Sequence, residues 1–211
     1  MTTSTTPALR VAGPDDIDPI ADLVADSFAR LDVIAYLVPD PDRRRAVTRA
    51  WYRLHIEHAV GGAGQVVMTD DGSAAAVWFD RTGVLTEPVG YAMRLADVTG
   101  DDLPRFAHLE DRMDAGHPHD PHWHLLFLAV RPDRWNHGLG SALMRHTHRR
   151  LDATGTAAYL EATGPGRGGA DNRRLYRRHH YADMEPAVVA VTAGVDLHRM
   201  WRPAQDRQAT R

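Results

Sequence analysis

Apolar residues recur along this chain with two different periods, and the switches between them lay out an order of strands and helices. A short strand is predicted at residues 9–13 (LRVAG). Ile17, Ile20, Leu23, Val24 and Phe28 then fall at three- and four-residue steps. That is the stripe of an amphipathic helix, with Asp15 or Asp16 as its N-cap. A second helix over 42–60 carries Val47, Trp51, Leu54 and Ile56, and the GGAG at 61–64 ends it. QVVMT and AAAVWF flank DDGS as the two strands of a hairpin. Residues 84–114 read as helical, broken near Gly100 and Pro104, and 115–123 as a loop. The unbroken apolar run at 125–130 predicts a central strand buried on both faces. Leu139, Leu143, Thr147 and Leu151 mark a helix over 138–152. A strand at 157–162, a glycine-rich loop at 163–171, a helix at 172–180 and closing strands at 187–201 complete the order. Strands alternating with helices predict an α/β (α+β) domain around a mixed sheet, with antiparallel pairs at the closing edge. No repeat or linker interrupts the pattern. Residues 9–202 therefore read as one domain between flexible segments at 1–8 and 203–211.

Composition sharpens this picture. A chain of 211 residues, 43% apolar and 25% charged, fits one soluble domain with a real core. No apolar run approaches the roughly 18 residues of a membrane span, and MTTSTTPALR contains no apolar signal segment. The expected compartment is the cytoplasm, with no membrane partner. Cysteine is absent, which removes disulfides, thiolate metal sites and a cysteine nucleophile. All 25 basic residues are arginine, so no lysine is available as a Schiff-base former. A net charge of −3 does not indicate a general nucleic-acid binder. The charge is uneven, however: residues 128–180 hold ten arginines against four acids. A positive half suits an anionic ligand, although each arginine alone reads equally as part of a solvated helix face.

The candidate chemistry begins where the central strand hands over to a helix through Gly138 and Gly140. The first turn of a helix carries N–H groups without intrahelical partners, and the helix dipole adds partial positive charge there. Glycine lets a phosphate approach that backbone, since no Cβ stands in the way. Alone, a G-x-G is equally a tight strand-to-helix turn. Two features of its context favour phosphate: the buried strand before it and the positive charge around it.

Residues 125–181 resemble the GCN5-related N-acetyltransferase (GNAT) superfamily. Its acyl-CoA loop commonly reads Gln/Arg-x-x-Gly-x-Gly/Ala, and its last core helix Asn-x-x-Leu-Tyr. The matching residues here are Trp135-Asn136-His137-Gly138-Leu139-Gly140 and Asn172-Arg173-Arg174-Leu175-Tyr176. PHWHLLFLAVRPDR, GLGSALM, YLEAT and DDGSAAAVW are similar to the puromycin N-acetyltransferase branch, and the similarity runs from about Leu9. The resemblance implies a mixed, mostly antiparallel sheet of about seven strands, splayed between the fourth and fifth and flanked by helices. It implies direct attack of a small-molecule amine, antibiotic or natural-product-like, on acetyl-CoA through a tetrahedral intermediate. The donor would lie on Arg134, Trp135, Asn136, His137, Gly138, Leu139, Gly140 and Ser141, with Asn172 nearby. Its pantetheine arm would pair with the backbone at Leu128, Ala129 and Val130, where an N–H is also placed to stabilise the oxyanion. Tyr176 matches the family's general acid; its other reading is a core aromatic. Glu161 matches a candidate base whose pKa burial would raise; its other reading is an ion pair with an arginine from 173–178. His124 is a second candidate base. The loop at 115–123 would border the acceptor pocket, bringing Trp123 and His124 to the substrate. Dimers are frequent in the family, and a homodimer is compatible with this reading.

Departures from the family pattern keep two further readings open. Trp135 stands where Gln or Arg is usual and supplies no charge to a phosphate; either Arg131 or Arg134 replaces the missing guanidinium, or CoA binding is weaker or the donor differs. Asn136 stands where Gly is usual and tolerates left-handed φ better than most residues. If the loop fails, the donor is another acyl-CoA or an aminoacyl-tRNA, the one route by which nucleic acid enters. A degenerate CoA-binding or regulatory protein is the third reading. His117, His119, His122 and His124 have the density of a metal site, but the expectation is a solvent-exposed histidine-rich loop and no metal.

Overall fold

A computed structural model describes residues 7–163 and 169–205. The expectations for 1–6, for the centre of the glycine-rich loop and for the tail from 206 onward lie outside the described residues. The strands are β1 (Leu9–Val11), β2 (Gly64–Thr69), β3 (Ala74–Arg81), β4 (His122–Val130), β5 (Ala157–Thr163), β6 (Ala182–Thr192) and β7 (Val195–Arg202). They form one seven-stranded sheet in the order β1-β2-β3-β4-β5-β7-β6. Every neighbouring pair is antiparallel except β4 and β5.

Helices cover both faces and divide the core in two. On one side lie α1 (Ile17–Phe28), α2 (Asp32–Leu37), α3 (Pro41–His58), α4 (Tyr91–Thr99) and α5 (Leu103–Gly116), which bury Ile20, Val24, Tyr52, Ile56 and Phe106 against the sheet. On the other lie α6 (Leu139–Ala153) and α7 (Gly169–Arg178), which close over Trp78, Leu143, Met144 and Leu160. Both clusters consist of side chains removed from water, the dominant favourable contribution to folding.

The predicted elements recur with several corrections. Residues 32–37 form a helix that the pattern did not separate, because LDVIAYLV is apolar almost throughout. Residues 84–90 are not helical: Tyr91 N–H bonds to the Pro88 carbonyl, and Gly90, at φ 67°, starts α4 with a left-handed residue. β4 begins at His122 rather than at 125 and β6 at Ala182 rather than at 187. The break at Gly100 is real, but Pro104 opens α5 instead of interrupting it. In a first helical turn its missing N–H has no partner to lose.

One irregularity positions everything that follows. Val77 pairs with Phe127 but Trp78 pairs with Leu125, so Leu126 is an extra residue in β4. A bulge bends the strand that carries it, and a one-residue slip exchanges the faces to which side chains point. Before the bulge Trp123 and Leu125 face α6; after it Phe127 and Ala129 face α1 and α3. β4 pairs with β5 only through His122, Trp123 and His124, opposite Ala157, Ala158 and Tyr159. Beyond that point β5 pairs with β7 alone, and the sheet stands open.

The far side of the opening is anchored by charge. Asp152, in the last turn of α6, accepts two hydrogen bonds from Arg202 of β7, at 2.7 and 2.8 Å, and one from the Gln205 N–H at 2.9 Å. The Arg202 side chain is 3% exposed. Burial raises the Asp152 carboxyl, but the Arg202 hydrogen bonds and charge outweigh it and hold the pKa below its usual value. Such a group stabilises the fold above its unfolded pKa, and the contribution is lost as pH falls through the depressed folded value. Asp152→Ala leaves a buried guanidinium unpaired and is predicted to cost about 3–5 kcal/mol in urea denaturation. A loss below about 1 kcal/mol would show the pair to be no anchor.

Candidate active site

One end of the candidate site is built from backbone. Asn136 (φ 63°) and Gly138 (φ 78°) both adopt left-handed conformations, and together they turn the chain from β4 into α6. A Cβ on Gly138 would meet nothing within 4 Å, so glycine there answers to φ and not to packing. No side chain caps α6, whose first bond runs from Ala142 N–H to the Gly138 carbonyl at 2.9 Å. The N–H groups of Leu139, Gly140 and Ser141 thus have no acceptor within the helix. They open on a cleft of about 1380 Å³ whose walls include Leu128, Val130, Asn172 and Tyr176.

Trp135 lines this cleft without closing it. Its indole Nε1–H donates to the Val130 carbonyl at 2.7 Å, and the Ser27 hydroxyl donates to the same oxygen at 3.0 Å. The ring is 50% exposed, and the cleft continues past it to residues 138–141. The expected guanidinium substitutes are otherwise engaged: Arg131 bonds Asp133 at 2.6 Å, and Arg134 lies 3.6 Å from Asp71. Both pairs are exposed and so weakly held, and Arg134 remains on the wall. Arg174 and Arg178 of α7 join it there, an arrangement that separation along the chain concealed. His137 turns away from the wall: its Nδ1 bonds the Trp135 carbonyl at 2.8 Å.

Beyond the bulge, one edge of β4 is free. Arg131 N–H bonds the Ser73 carbonyl of the neighbouring strand. Backbone groups alternate in direction along a strand, so those of Ala129 also serve β3 while those of Leu128 and Val130 face the opening. The Leu128 N–H and C=O and the Val130 N–H are therefore available to an extended amide chain. Ala129 takes part in positioning, not in the wall.

The apex of the split is spanned by two side chains. His124, the last β4 residue paired with β5, donates from Nε2 to Glu161 Oε2 at 2.7 Å. Their side chains are 4% and 3% exposed. Glu161 Oε1 is buried with no hydrogen-bond partner among the described residues, and so is the Tyr159 hydroxyl. Arg173 and Arg177 of α7 bond His198 and Asp183 instead. Burial raises the Glu161 pKa, but the charge and hydrogen bond of His124 overcome it and hold the group below the usual carboxylate value.

The histidine-rich loop is not solvent-exposed, contrary to expectation. His122 and His124 lie in β4 at 1% and 3% exposure, and among the four only His119 is open to water. His122 Nδ1 bonds the Asp120 carbonyl at 2.7 Å, and His117 Nε2 lies 3.1 Å from His122 Nε2. Burial, with added repulsion from His124 and Arg81, pushes His117 down to about 2. With neutral rings, His122 donates to Asp120 and accepts from His117. His117 then faces Glu161 with a bare Nδ1, 3.9 Å from Oε1. No group of three or more metal-ligating side chains is placed to hold an ion among the described residues.

Tyr176 lines the cleft from α7, and burial pushes its pKa up to about 12. The Ser141 hydroxyl and His179 Nε2 share a hydrogen bond of 3.0 Å. Trp123 is on the other face: its ring packs beneath the Arg150 guanidinium at 3.9 Å, inside the α6 cluster. The bulge accounts for this, because ahead of Leu126 odd positions of β4 point away from the cleft. The opposite wall of the cleft comes from Trp51, Tyr52, His55, Tyr91, Glu110 and Phe127. In the sequence Trp51 was visible only as a helix core position and Phe127 only within a buried strand, and the other four were not singled out.

The pattern of the Acetyltransferase (GNAT) family matches residues 27–181. A crystal structure from Corynebacterium glutamicum, described as histone acetyltransferase HPA2 and related acetyltransferase, superposes with TM-score 0.70 at 25% identity, over 97% of this chain and 99% of that one. Mosquito arylalkylamine N-acetyltransferase like 5b gives 0.60 at 16% identity, over 93% and 99%. The PaiA N-acetyltransferase of Thermoplasma acidophilum, solved with coenzyme A, gives 0.55 at 10% identity, over 94% and 99%. A match across most of the chain, on a sheet split beside unpaired helix N–H groups, places this protein in the GNAT family, as an acyltransferase that takes its acetyl group from acetyl-CoA.

Proposed function

We propose that the chain acetylates the amine of a small organic molecule by direct attack on acetyl-CoA. One observation carries this reading: a single cleft runs from the free N–H groups at the start of α6, along the unpaired edge of β4, to the buried His124–Glu161 pair and an aromatic wall. A diphosphate suits the helix start, with Arg134, Arg174 and Arg178 adding charge. The amides of a pantetheine arm suit the β4 edge. The aromatic half suits an organic acceptor, as does the similarity to the puromycin branch and to an arylalkylamine acetyltransferase.

The bond changes follow from this placement. The amine nitrogen attacks the thioester carbonyl carbon, and a C–N bond forms. The carbonyl oxygen gains charge facing the β4 edge, where an N–H offers stabilisation on the order of 3 kcal/mol. The ammonium proton passes to Glu161, whose Oε1 has a vacant lone pair and whose Oε2 is steadied by His124. The C–S bond breaks, and Tyr176 protonates the departing thiolate.

The chain contains no cysteine, so a thiol reagent reports released CoA without background from the protein. In that assay, with a panel of aromatic and aliphatic amines, at least one primary amine is expected to yield CoA and an N-acetyl product; release unlinked to any amine would refute the reading. Tyr176→Phe is predicted to lower kcat by about 100-fold with donor KM within about threefold, and an unchanged kcat would remove the acid role. Glu161 is ionised and Tyr176 protonated through the neutral range, so kcat/KM between about pH 6 and 9 is predicted to rise only with the free-amine fraction of the acceptor. A second limb in that window would assign the base elsewhere. Gly138→Trp is predicted to weaken acetyl-CoA binding at least about tenfold by calorimetry, because a side chain there enters the space where a diphosphate would sit. Unaltered affinity would mean the helix start is not the anchor.

A further inference from the structure

The acceptor half of the cleft contains a carboxylate that the chemistry above does not use. Glu110 of α5 lies in the wall, partly buried. Its Oε1 accepts from the Tyr91 hydroxyl in a short hydrogen bond and from the Trp51 indole at 3.4 Å. Both donors are neutral. Its Oε2 takes no hydrogen bond, and no cation pairs with it among the described residues. One oxygen is thus fixed by two aromatic side chains while the other is left to whatever enters.

Two further acids share this part of the cleft. Glu87 and Asp114 line the same cleft, against Arg81 on that side. His55, packed 5.3 Å from the Trp51 ring and 5.7 Å from the Tyr91 ring, is driven down to about 4 by burial and carries no charge at neutral pH. Desolvation lifts the Glu110 carboxyl above its usual value, Tyr91 and Trp51 oppose the shift, and Asp114 and Glu87 add to it. A half-buried carboxylate without a countercharge is costly, and a cation beside it removes that cost. Aromatic rings offer their faces to the same cation. Independently, the Tyr52 hydroxyl on this wall is buried, with Tyr52 1% exposed, and has no hydrogen-bond partner among the described residues. It is a further oxygen waiting for a donor.

We infer that Glu110 selects acceptors bearing a second cationic centre, an ammonium held between its free oxygen and the aromatic wall while another amine of the same molecule reaches Glu161. The substrate class is a diamine or a basic aminated natural product. The inference rests on the acetyltransfer reading for the reacting amine, but not for the cation site itself.

Two amines that differ only at the far end test it: 1,5-diaminopentane and 5-amino-1-pentanol. The wild-type kcat/KM ratio, diamine over amino alcohol, is expected to exceed ten. Glu110→Gln keeps an oxygen for Tyr91 and Trp51 and removes the charge; it is expected to lower that ratio at least tenfold, whereas Asp114→Asn moves it less than threefold. A ratio near two in both wild type and Glu110→Gln, merely counting two equivalent amines, overturns the inference, as does an equal effect of Asp114→Asn. Calorimetry with pentyltrimethylammonium, which accepts no acetyl group, separates this from the wider reading. Tenfold weaker binding to Glu110→Gln supports the cation site even if no amine is acetylated. Equal binding to both proteins overturns the inference even if amines are acetylated.

Discussion

The structure depends on a sheet that stops being a sheet. β4 and β5 are paired for three residues and then part. At the parting point a single 2.7 Å hydrogen bond between His124 and Glu161 replaces the backbone ladder. Buried backbone groups are almost always paired, so a split of this kind persists only where something occupies the gap or its edges are otherwise satisfied. Here one edge is turned to β7, and the other is kept open by the extra residue at Leu126. The bulge bends β4, exchanges the faces of its side chains and exposes Leu128 and Val130 along the same line that ends at the first turn of α6.

This division of labour sets the chemistry of the two halves. The donor half presents backbone N–H groups and arginines, and identity of side chain counts for little there. That explains why the loop keeps its shape with Trp135 and Asn136 in unusual places: Asn136 supplies the left-handed φ, and Trp135 fastens the end of β4 through Val130 instead of supplying charge. The acceptor half is the reverse. It is made of side chains from α3, α4, α5 and β4, with Arg81 and His124 beside the carboxylates. Two acids there have opposite environments. Glu161 is held ionised by His124, while Glu110 is held by neutral donors and has no countercharge among the described residues.

Much of the fold was legible because it rests on local patterns. The amphipathic stripe of α1, the DDGS turn and the apolar run of β4 each announce themselves within a few residues. The helix at 32–37 was lost because an apolar stretch has no visible period, and the coil at 84–90 because its helix-like spacing is overridden by Pro88 and Gly90. At the site, Gly138 and Gly140 stood out by their place between strand and helix, and Tyr176 and Glu161 entered only through the family resemblance; all four line the cleft. Trp123 misled, since strand alternation predicts its direction only if the bulge at Leu126 is known, and a bulge has no sequence mark here. The histidines misled in the other direction: density of His reads as surface, yet His117, His122 and His124 pack against the Tyr159 ring. Glu110, Tyr91 and Trp51 are far apart in sequence and meet only through the packing of three helices, so nothing local pointed to them.

The central claim is that backbone amides at the split edge and at the helix start hold the donor. Amide-resolved NMR, titrating coenzyme A into the labelled protein, addresses it most directly. The account predicts that the Leu128, Val130, Leu139, Gly140 and Ser141 amides shift and gain protection from hydrogen exchange at saturation, while Ala129 and Phe127, already bonded to β3, change little. Binding that leaves those five amides unmoved, or that moves a different surface, would contradict it.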